Sequence, residues 1–328
     1  MKSTSNRDEL HQIAAAAHLY YEEGYTQQET ADIMGLSRPT VSRLLIRAKE
    51  EQIVTIIVKD PFDIDVSFSG QLCENTPLNQ AIVTRAVPGN KELNLKRLSI
   101  FAAEYLEQEF IQNDVVGVGW GRTLYAVLQS LKEVPVENIS YVPLIGGLGQ
   151  VSPQFQVHEL IRILSQRFSG EGSQLILPAI VQHKETRDRL LALTDSTMVI
   201  DQWDNLTKAI IGIGNVDFDS DMNILFMNYI DESAMLRLKS AGAVGDICMN
   251  FFDKYGNEIQ DGMRWLVSIP LEKIRKIPNV IAVACGVSKA SAILGAIRGN
   301  YIHTLITDDI TAKAIISIKE AEEKEYGR

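Results

Sequence analysis

From Asp8 onward, the apolar residues Leu10, Ile13, Ala14, Ala17 and Tyr21 recur at helical spacing, which predicts an amphipathic helix ended by Gly24. Thr26 and Glu29 then stand at capping-box spacing, where each side chain bonds the other's free backbone N–H. A short helix follows to about Met34, with Gly35 as a tight turn. Ser37 is placed as an N-cap, and Arg38 and Pro39 open a second helix that runs to about Glu51. Ile53 to Val58 is β-branched and reads as a short strand or wing. Asp60-Pro61-Phe62-Asp63 breaks the pattern, so the expected domains are 1–59 and 60–328.

Beyond that break, continuous apolar runs alternate with amphipathic stretches. Strands are expected at Ala81–Val83, Val115–Val118, Tyr141–Ile145, Leu175–Leu177, Ala209–Ile213, Ile247–Phe252, Val280–Ala284 and His303–Ile306. Helices are expected at Asn94–Phe110, Thr123–Leu131, Gln156–Phe168, Lys289–Arg298 and Asp309–Ala321. Apolar strands separated by helices indicate an α/β fold, with a Rossmann-like parallel sheet covered on both faces.

The segment TQQETADIMGLSRPTVSRLL, Thr26 to Leu45, fits a helix-turn-helix. Ala31 is small where the helices cross, and Ile33, Leu36, Val41 and Leu44 are the expected inward anchors. The second helix would enter the major groove by its N-terminal turns. The candidate DNA-binding residues are Thr26, Gln27, Ser37, Arg38, Thr40, Ser42, Arg43 and Arg47. Arginine pairs bidentately with guanine, while Ser and Thr bond phosphates or base edges. Arg47, further along with Lys49, is expected on phosphates. The alternative is a helical hairpin with a solvated basic face.

The larger domain carries glycines where strands end. Gly117-Val118-Gly119-Trp120-Gly121-Arg122-Thr123-Leu124 closes one strand and opens a helix. Glycine lets backbone approach a ligand, and a helix N-terminus with free N–H groups favours an anion. Gly119, Gly121, Arg122 and Thr123 are therefore candidates for a phosphate cradle. A dinucleotide fingerprint would need glycine at Arg122, and no Gly-Lys-Ser/Thr of a Walker loop follows. Pro143 to Gly149 ends a second strand in glycines, and ligands of open α/β sheets gather beyond such ends, so Gly146 and Gly147 join the candidates. Asp246 is a lone carboxylate in Gly242-Ala243-Val244-Gly245-Asp246-Ile247, suited to hydroxyl recognition or to capping a turn. Lys289 follows a strand and starts a helix, where it can meet a phosphate. Thr307, at the end of the last strand, reads as a helix cap, with lining the pocket as the alternative. His158 and His183 read as structural, and Met249, Phe251 and Phe252 as core.

Composition adds limits. The chain of 328 residues is 45% hydrophobic, ordinary for a soluble protein of two domains. No stretch approaches the roughly 20 apolar residues of a membrane span, and Met1 to Arg7 lacks a signal-peptide core, so a cytoplasmic protein with no membrane partner is expected. Net charge is -10, yet Ser37 to Lys49 holds Arg38, Arg43, Arg47 and Lys49 with no acid. The positive charge is focused on one segment, and location matters more than the sum. Cys73, Cys248 and Cys285 are far apart without histidine companions, so neither a metal site nor a disulfide framework is expected.

Together these blocks resemble the SorC family of sugar-responsive regulators. The likeness is carried by Thr26–Leu45, GVGWGRTL (117–124), PLIGGLG (143–149), GAVGDI with FFDKYG (242–256) and SKASAILGAIRGNYIHTLITD (288–308). The resemblance implies a winged helix-turn-helix head and an effector domain related to sugar-phosphate isomerases and deaminases, re-used for sensing. It implies double-stranded operator DNA as partner, a phosphorylated sugar or polyol as effector, tetramers, and no cofactor or catalysis. It also implies that Gly121, Arg122 and Thr123 hold ligand oxygens, that Asp246 bonds hydroxyls, and that Lys289 meets the phosphate. Cys285 departs from the family's usual glycine. The PLIGG strand carries no lysine, so binding without a Schiff base there is expected. An isomerase or deaminase fused to a DNA-binding head is the rival reading; it requires an acid/base pair, for which Asp246 and Lys289 are the candidates.

Overall fold

The computed structural model describes residues 2–51, 53–54, 64–216, 230, 232–260 and 265–326. Its contacts divide the chain into two compact units, Met1–Asp60 and Pro61–Arg328.

In the first unit, α1 spans Lys2–Ala17 and passes into a π turn, His18–Glu22, before Gly24 turns the chain at φ +77°. Next comes α2, Gln27–Met34. Its cap is the expected box: the Glu29 N–H donates to Thr26 Oγ1 at 3.3 Å, and the Thr26 N–H to Glu29 Oε2 at 2.8 Å. Gly35 stops the helix at φ +65°, a left-handed conformation that glycine adopts without steric cost. Ser37 caps α3, Arg38–Glu50, accepting the Thr40 N–H at 3.3 Å. The three helices bury Ile13, Ala16, Ala31, Val41, Leu44, Leu45 and Ala48 around a small core. Ile33 is not part of it. It lies on the outer face of α2 at 55% exposure, while Ala31 and Thr30 take the inward positions. At about 100° per residue, position 33 stands roughly 200° around the helix from the inward-facing Ala31. Ile53 and Val54 lie in no strand, and the rest of the expected wing, 55–58, falls outside the described residues.

The second unit is a parallel sheet between helices. Its strands are β1 (Gln80–Thr84), β2 (Val115–Val118), β3 (Ser140–Pro143), β4 (Glu171–Gly172), β6 (Lys208–Ile211), β11 (Asn279–Val283) and β12 (Thr304–Asp308). They are ordered β1-β12-β11-β6-β2-β3-β4, and every pairing is parallel. Around them pack α4 (Val66–Asn75), α5 (Lys91–Glu109), α6 (Arg122–Gln129), α7 (Val157–Phe168), α8 (Lys184–Leu191) and α9 (Thr194–Ile200). Four more follow: α10 (Glu232–Ser240), α11 (Leu271–Ile274), α12 (Ala290–Arg298) and α13 (Asp309–Tyr326). Strands covered on both faces bury nearly every residue, as the fully buried run Ala209–Ile211 illustrates.

Two expected strands differ. Leu175–Leu177 is not a strand; the chain there makes only an isolated bridge at Pro178 to Gly147 before β5 (Ile180–Val181), which pairs antiparallel with β10 (Trp265–Leu266). Ile247–Phe252 is not one strand but the middle of a hairpin. It joins β8 (Ala243–Ile247) to β9 (Asn250–Asp253), and β7 (Gly214–Asn215) pairs on the other edge of β8. Cys248 and Met249 form the turn, both in left-handed backbone at φ 49° and 65°.

Candidate functional site

The sheet's carboxyl edge sets the geometry, as expected for an open α/β sheet. After β2, Gly121 adopts φ +121°, which glycine tolerates, and α6 begins at Arg122. Gly121, Arg122 and Thr123 line a small cavity, about 30 Å³ in volume. Gly212 to Gly214, after β6, form the opposite wall. Asp246 and Cys248 enter from β8 and its turn, and Lys289 from the 3-10 turn after β11. Five of the eight effector candidates thus meet at one place, although up to 168 positions separate them (121 to 289).

Gly119, Gly146 and Gly147 do not join them. Gly119 donates its N–H to Ile210 O at 2.9 Å and lets β2 lie close to β6. Gly146 and Gly147 serve the packing of backbone on backbone. Gly146 N–H donates to Val267 O at 2.9 Å and Gly147 N–H to Leu177 O at 2.7 Å. A Cβ at Gly146 would stand 2.5 Å from Leu177 O. Thr307 caps nothing either: it is buried with its hydroxyl unpartnered among the described residues, and Asp308 accepts the Thr311 N–H at 2.7 Å instead.

Asp246 has two different oxygens. Oδ2 accepts the Met249 N–H at 2.9 Å and so holds the β8–β9 turn. Oδ1 is buried with no hydrogen-bond partner among the described residues. A buried acceptor left unpaired is costly, so such an atom marks a place for a donor from elsewhere. Gly214 permits this placement, since a Cβ there would stand 1.9 Å from Oδ1. Burial pushes the Asp246 carboxyl up to about 6, against the Met249 N–H bond and the Lys289 charge, which pull it down. Burial lowers the Lys289 ammonium from its ordinary value, helped by Arg122 and opposed by Cys285 and Asp246. Burial, then Asp308, pushes the Cys285 thiol up to about 11, so it is a neutral neighbour of Lys289. The cavity therefore gathers the Arg122 guanidinium, the Lys289 amino group and one open carboxyl oxygen of Asp246. Gly212–Gly214, Trp120 and Cys248 are wall residues that sequence reasoning missed. The Gly-Ile-Gly run directly after an apolar strand was the available signal for the first.

In the first unit, Arg38 and Arg43 are exposed on α3, with Thr40 and Ser42 half-buried. Arg38 borders a shallow depression with Thr26 and Gln27. The hydroxyls of Ser37 and Thr40 lie 2.7 Å apart, and Ser37 and Thr26 serve as caps. Arg47, expected on phosphates, bonds Glu9 of α1 and Glu51 through its guanidinium, with Nε 3.0 Å from Glu51 Oε1.

The comparisons agree with this layout. Residues 60–317 match the family described as "Putative sugar-binding domain", and residues 18–50 match "Sigma-70, region 4". The Deoxyribonucleoside regulator of Bacillus subtilis is 32% identical over 306 residues, covering 92% of this chain and 96% of its own. The crystal structure of the full-length Sorbitol Operon Regulator SorC from Klebsiella pneumoniae superposes with a TM-score of 0.74 at 28% identity, covering 94% and 98%. The chain belongs to the SorC family. Within the SorC family it has both parts, a helix-turn-helix head and the sugar-binding domain. The Sorbitol operon regulator of Klebsiella pneumoniae is 29% identical over 314 residues, covering 95% and 99%, so the SorC-family likeness runs through both units. Among the described residues, no helix is long and apolar enough to cross a membrane.

Proposed function

We propose that this chain is a cytoplasmic transcription regulator of a carbohydrate or polyol catabolic operon, switched by reversible binding of a phosphorylated sugar or polyol. Residues 1–59 bind double-stranded operator DNA, with Arg38, Ser42 and Arg43 facing the bases and Thr26, Gln27, Ser37 and Thr40 facing phosphates. Residues 60–328 bind the effector and assemble the chain into a tetramer. The relatives' names support the operon class: one is a sorbitol operon regulator, another a deoxyribonucleoside regulator.

The observation that carries the effector reading is the cavity's polarity. Arg122, Lys289 and the start of α6 suit an anion, while Asp246 Oδ1, buried and unpartnered, suits a hydroxyl donor. A sugar or polyol phosphate presents both groups on one small molecule. Asp246 and Lys289 act here as binding groups, and the protein is not an enzyme. Effector and DNA affinities are coupled reciprocally, because each shifts the same equilibrium.

The test is thermal shift of the full chain against sugars, polyols, their phosphates and nucleotides, followed by operator affinity with and without the active compound. A ligand of the folded state raises the melting temperature by mass action. Phosphorylated sugars or polyols should shift it, free sugars should not, and Arg122→Ala should abolish the difference. Equal shifts by free sugars would remove the phosphate from the reading. An operator affinity indifferent to saturating effector would remove the switch.

A further inference from the structure

The larger unit holds a second cavity, of about 340 Å³, that none of the candidate effector residues lines. That volume lies in the range of small-molecule pockets, roughly 300–1,000 Å³. Its walls are apolar and aromatic, with Ile180 of β5, Ala234 of α10, Phe251 of β9, Ile259 and Trp265 of β10. Arg187 lies over the Trp265 ring at 4.9 Å, but its charge is met by Asp188 at 2.7 Å, so this wall does not ask for an anion. It asks for a donor. Asn250, buried at the start of β9, turns its Nδ2 toward Ile247 O and Ile269 O, both at 3.1 Å, and toward Ser268 Oγ at 3.2 Å. The carboxamide is thereby locked on the cavity lining, where its Oδ1 is a hydrogen-bond acceptor. Glu258 adds a second acceptor to the lining.

The two cavities share the β8–β9 turn. Cys248 lines the smaller one and Met249 the larger. Both residues hold left-handed backbone, which for non-glycine persists only where the surroundings over-determine it. Here Asp246 fixes the turn from one side, and Ser268 Oγ, donating to Cys248 O at 2.8 Å, from the other.

We infer that the larger cavity is a second small-molecule site, for a flat, largely apolar ring compound carrying a hydrogen-bond donor, and that its occupant stiffens the Cys248–Met249 turn. The probe is 4-fluorophenol, a ring of that class, followed by fluorine NMR on the full-length protein. Binding should saturate at millimolar concentration or below. It should weaken more than about tenfold in Ala234→Phe and Ile259→Phe, which fill the cavity from different walls, and persist in Arg122→Ala. Iodoacetamide labelling, mapped by peptide mass, should slow at Cys248 by at least about threefold under saturating probe, with Cys73 unchanged. Melting curves identify which filling variants fold, and if neither does, Cys248 protection in the unaltered chain decides. No saturable binding, or undiminished binding in a folded variant, overturns the site. Saturable binding with unaltered Cys248 labelling overturns the stiffened turn. No sugar enters the experiment, so its outcome is separate from that of the effector reading.

Discussion

Replacing Asp246 with Asn should stabilise the ligand-free protein at neutral pH while weakening the effector. Burial raises the carboxyl from 3.8 to about 6. At about 1.4 kcal/mol per tenfold change in proton affinity, the ionised folded form carries a penalty of roughly 3 kcal/mol. The sign follows from proton counts. Between pH about 4 and about 6 the folded chain holds a proton that the unfolded chain has released, so stability falls as pH rises through that window. Above it the full penalty applies. Asparagine has no charge to desolvate, and its amide oxygen can still accept the Met249 N–H; its N–H₂ inherits the unpartnered position of Oδ1 at a cost of about 1 kcal/mol. The net gain is about 2 kcal/mol near pH 7.5, or roughly 4 °C for a unit of this size. Melting curves of both proteins at pH 4.5 and 7.5 check it, since the chain's other carboxylates cancel in the difference. The gain should largely vanish at pH 4.5, and sugar-phosphate shifts should shrink at both. Equal or lower stability of the variant at pH 7.5, or an advantage independent of pH, would refute the reasoning. Such a gain is the usual mark of a residue kept for binding at the expense of stability.

Three further outcomes follow from the same geometry. Arg43→Ala should cost roughly 1–3 kcal/mol of specific operator binding and relax preference at one base, measured by fluorescence anisotropy on variant operators. Arg47→Ala should leave the salt dependence of operator binding unchanged, because its guanidinium is held by Glu9 and Glu51, and should barely lower the melting temperature, because these pairs are part-exposed; a salt slope reduced by about one would return Arg47 to the phosphates. Gly146→Ala should destabilise the larger unit by at least about 1–3 kcal/mol in urea, since the new methyl stands 2.5 Å from a carbonyl that cannot swing away. Wild-type stability there would mean that the backbone at Leu177 yields.

What was legible in the sequence is what short-range chemistry decides. The capping box of Thr26 and Glu29, the left-handed stop at Gly35 and the Ser37 cap each involve groups within three or four positions, and all three stand as read. The convergence of five effector candidates was legible for a related reason: a parallel sheet delivers the ends of its strands to one edge, so glycines and charges after apolar runs meet there. The differences come from partners outside the segment in which each residue was read. Ser37 to Lys49 holds no acid, but Glu9, 38 positions upstream, and Glu51, four positions on, both bond Arg47. Gly146 carried the same signature as Gly121, but Leu177 fills the space beside it, whereas the space beside Gly121 is open. The β8–β9 turn left no signal at all, because Cys248 and Met249 are apolar residues in a backbone that usually selects glycine or asparagine. That irregular turn also puts Asp246 to double use. One oxygen holds the backbone and leaves the other open, so capping accounts for only one half of the carboxylate. A ligand that recruited the open oxygen would therefore pull on the group that holds the turn, a mechanical route into the fold for the proposed effector.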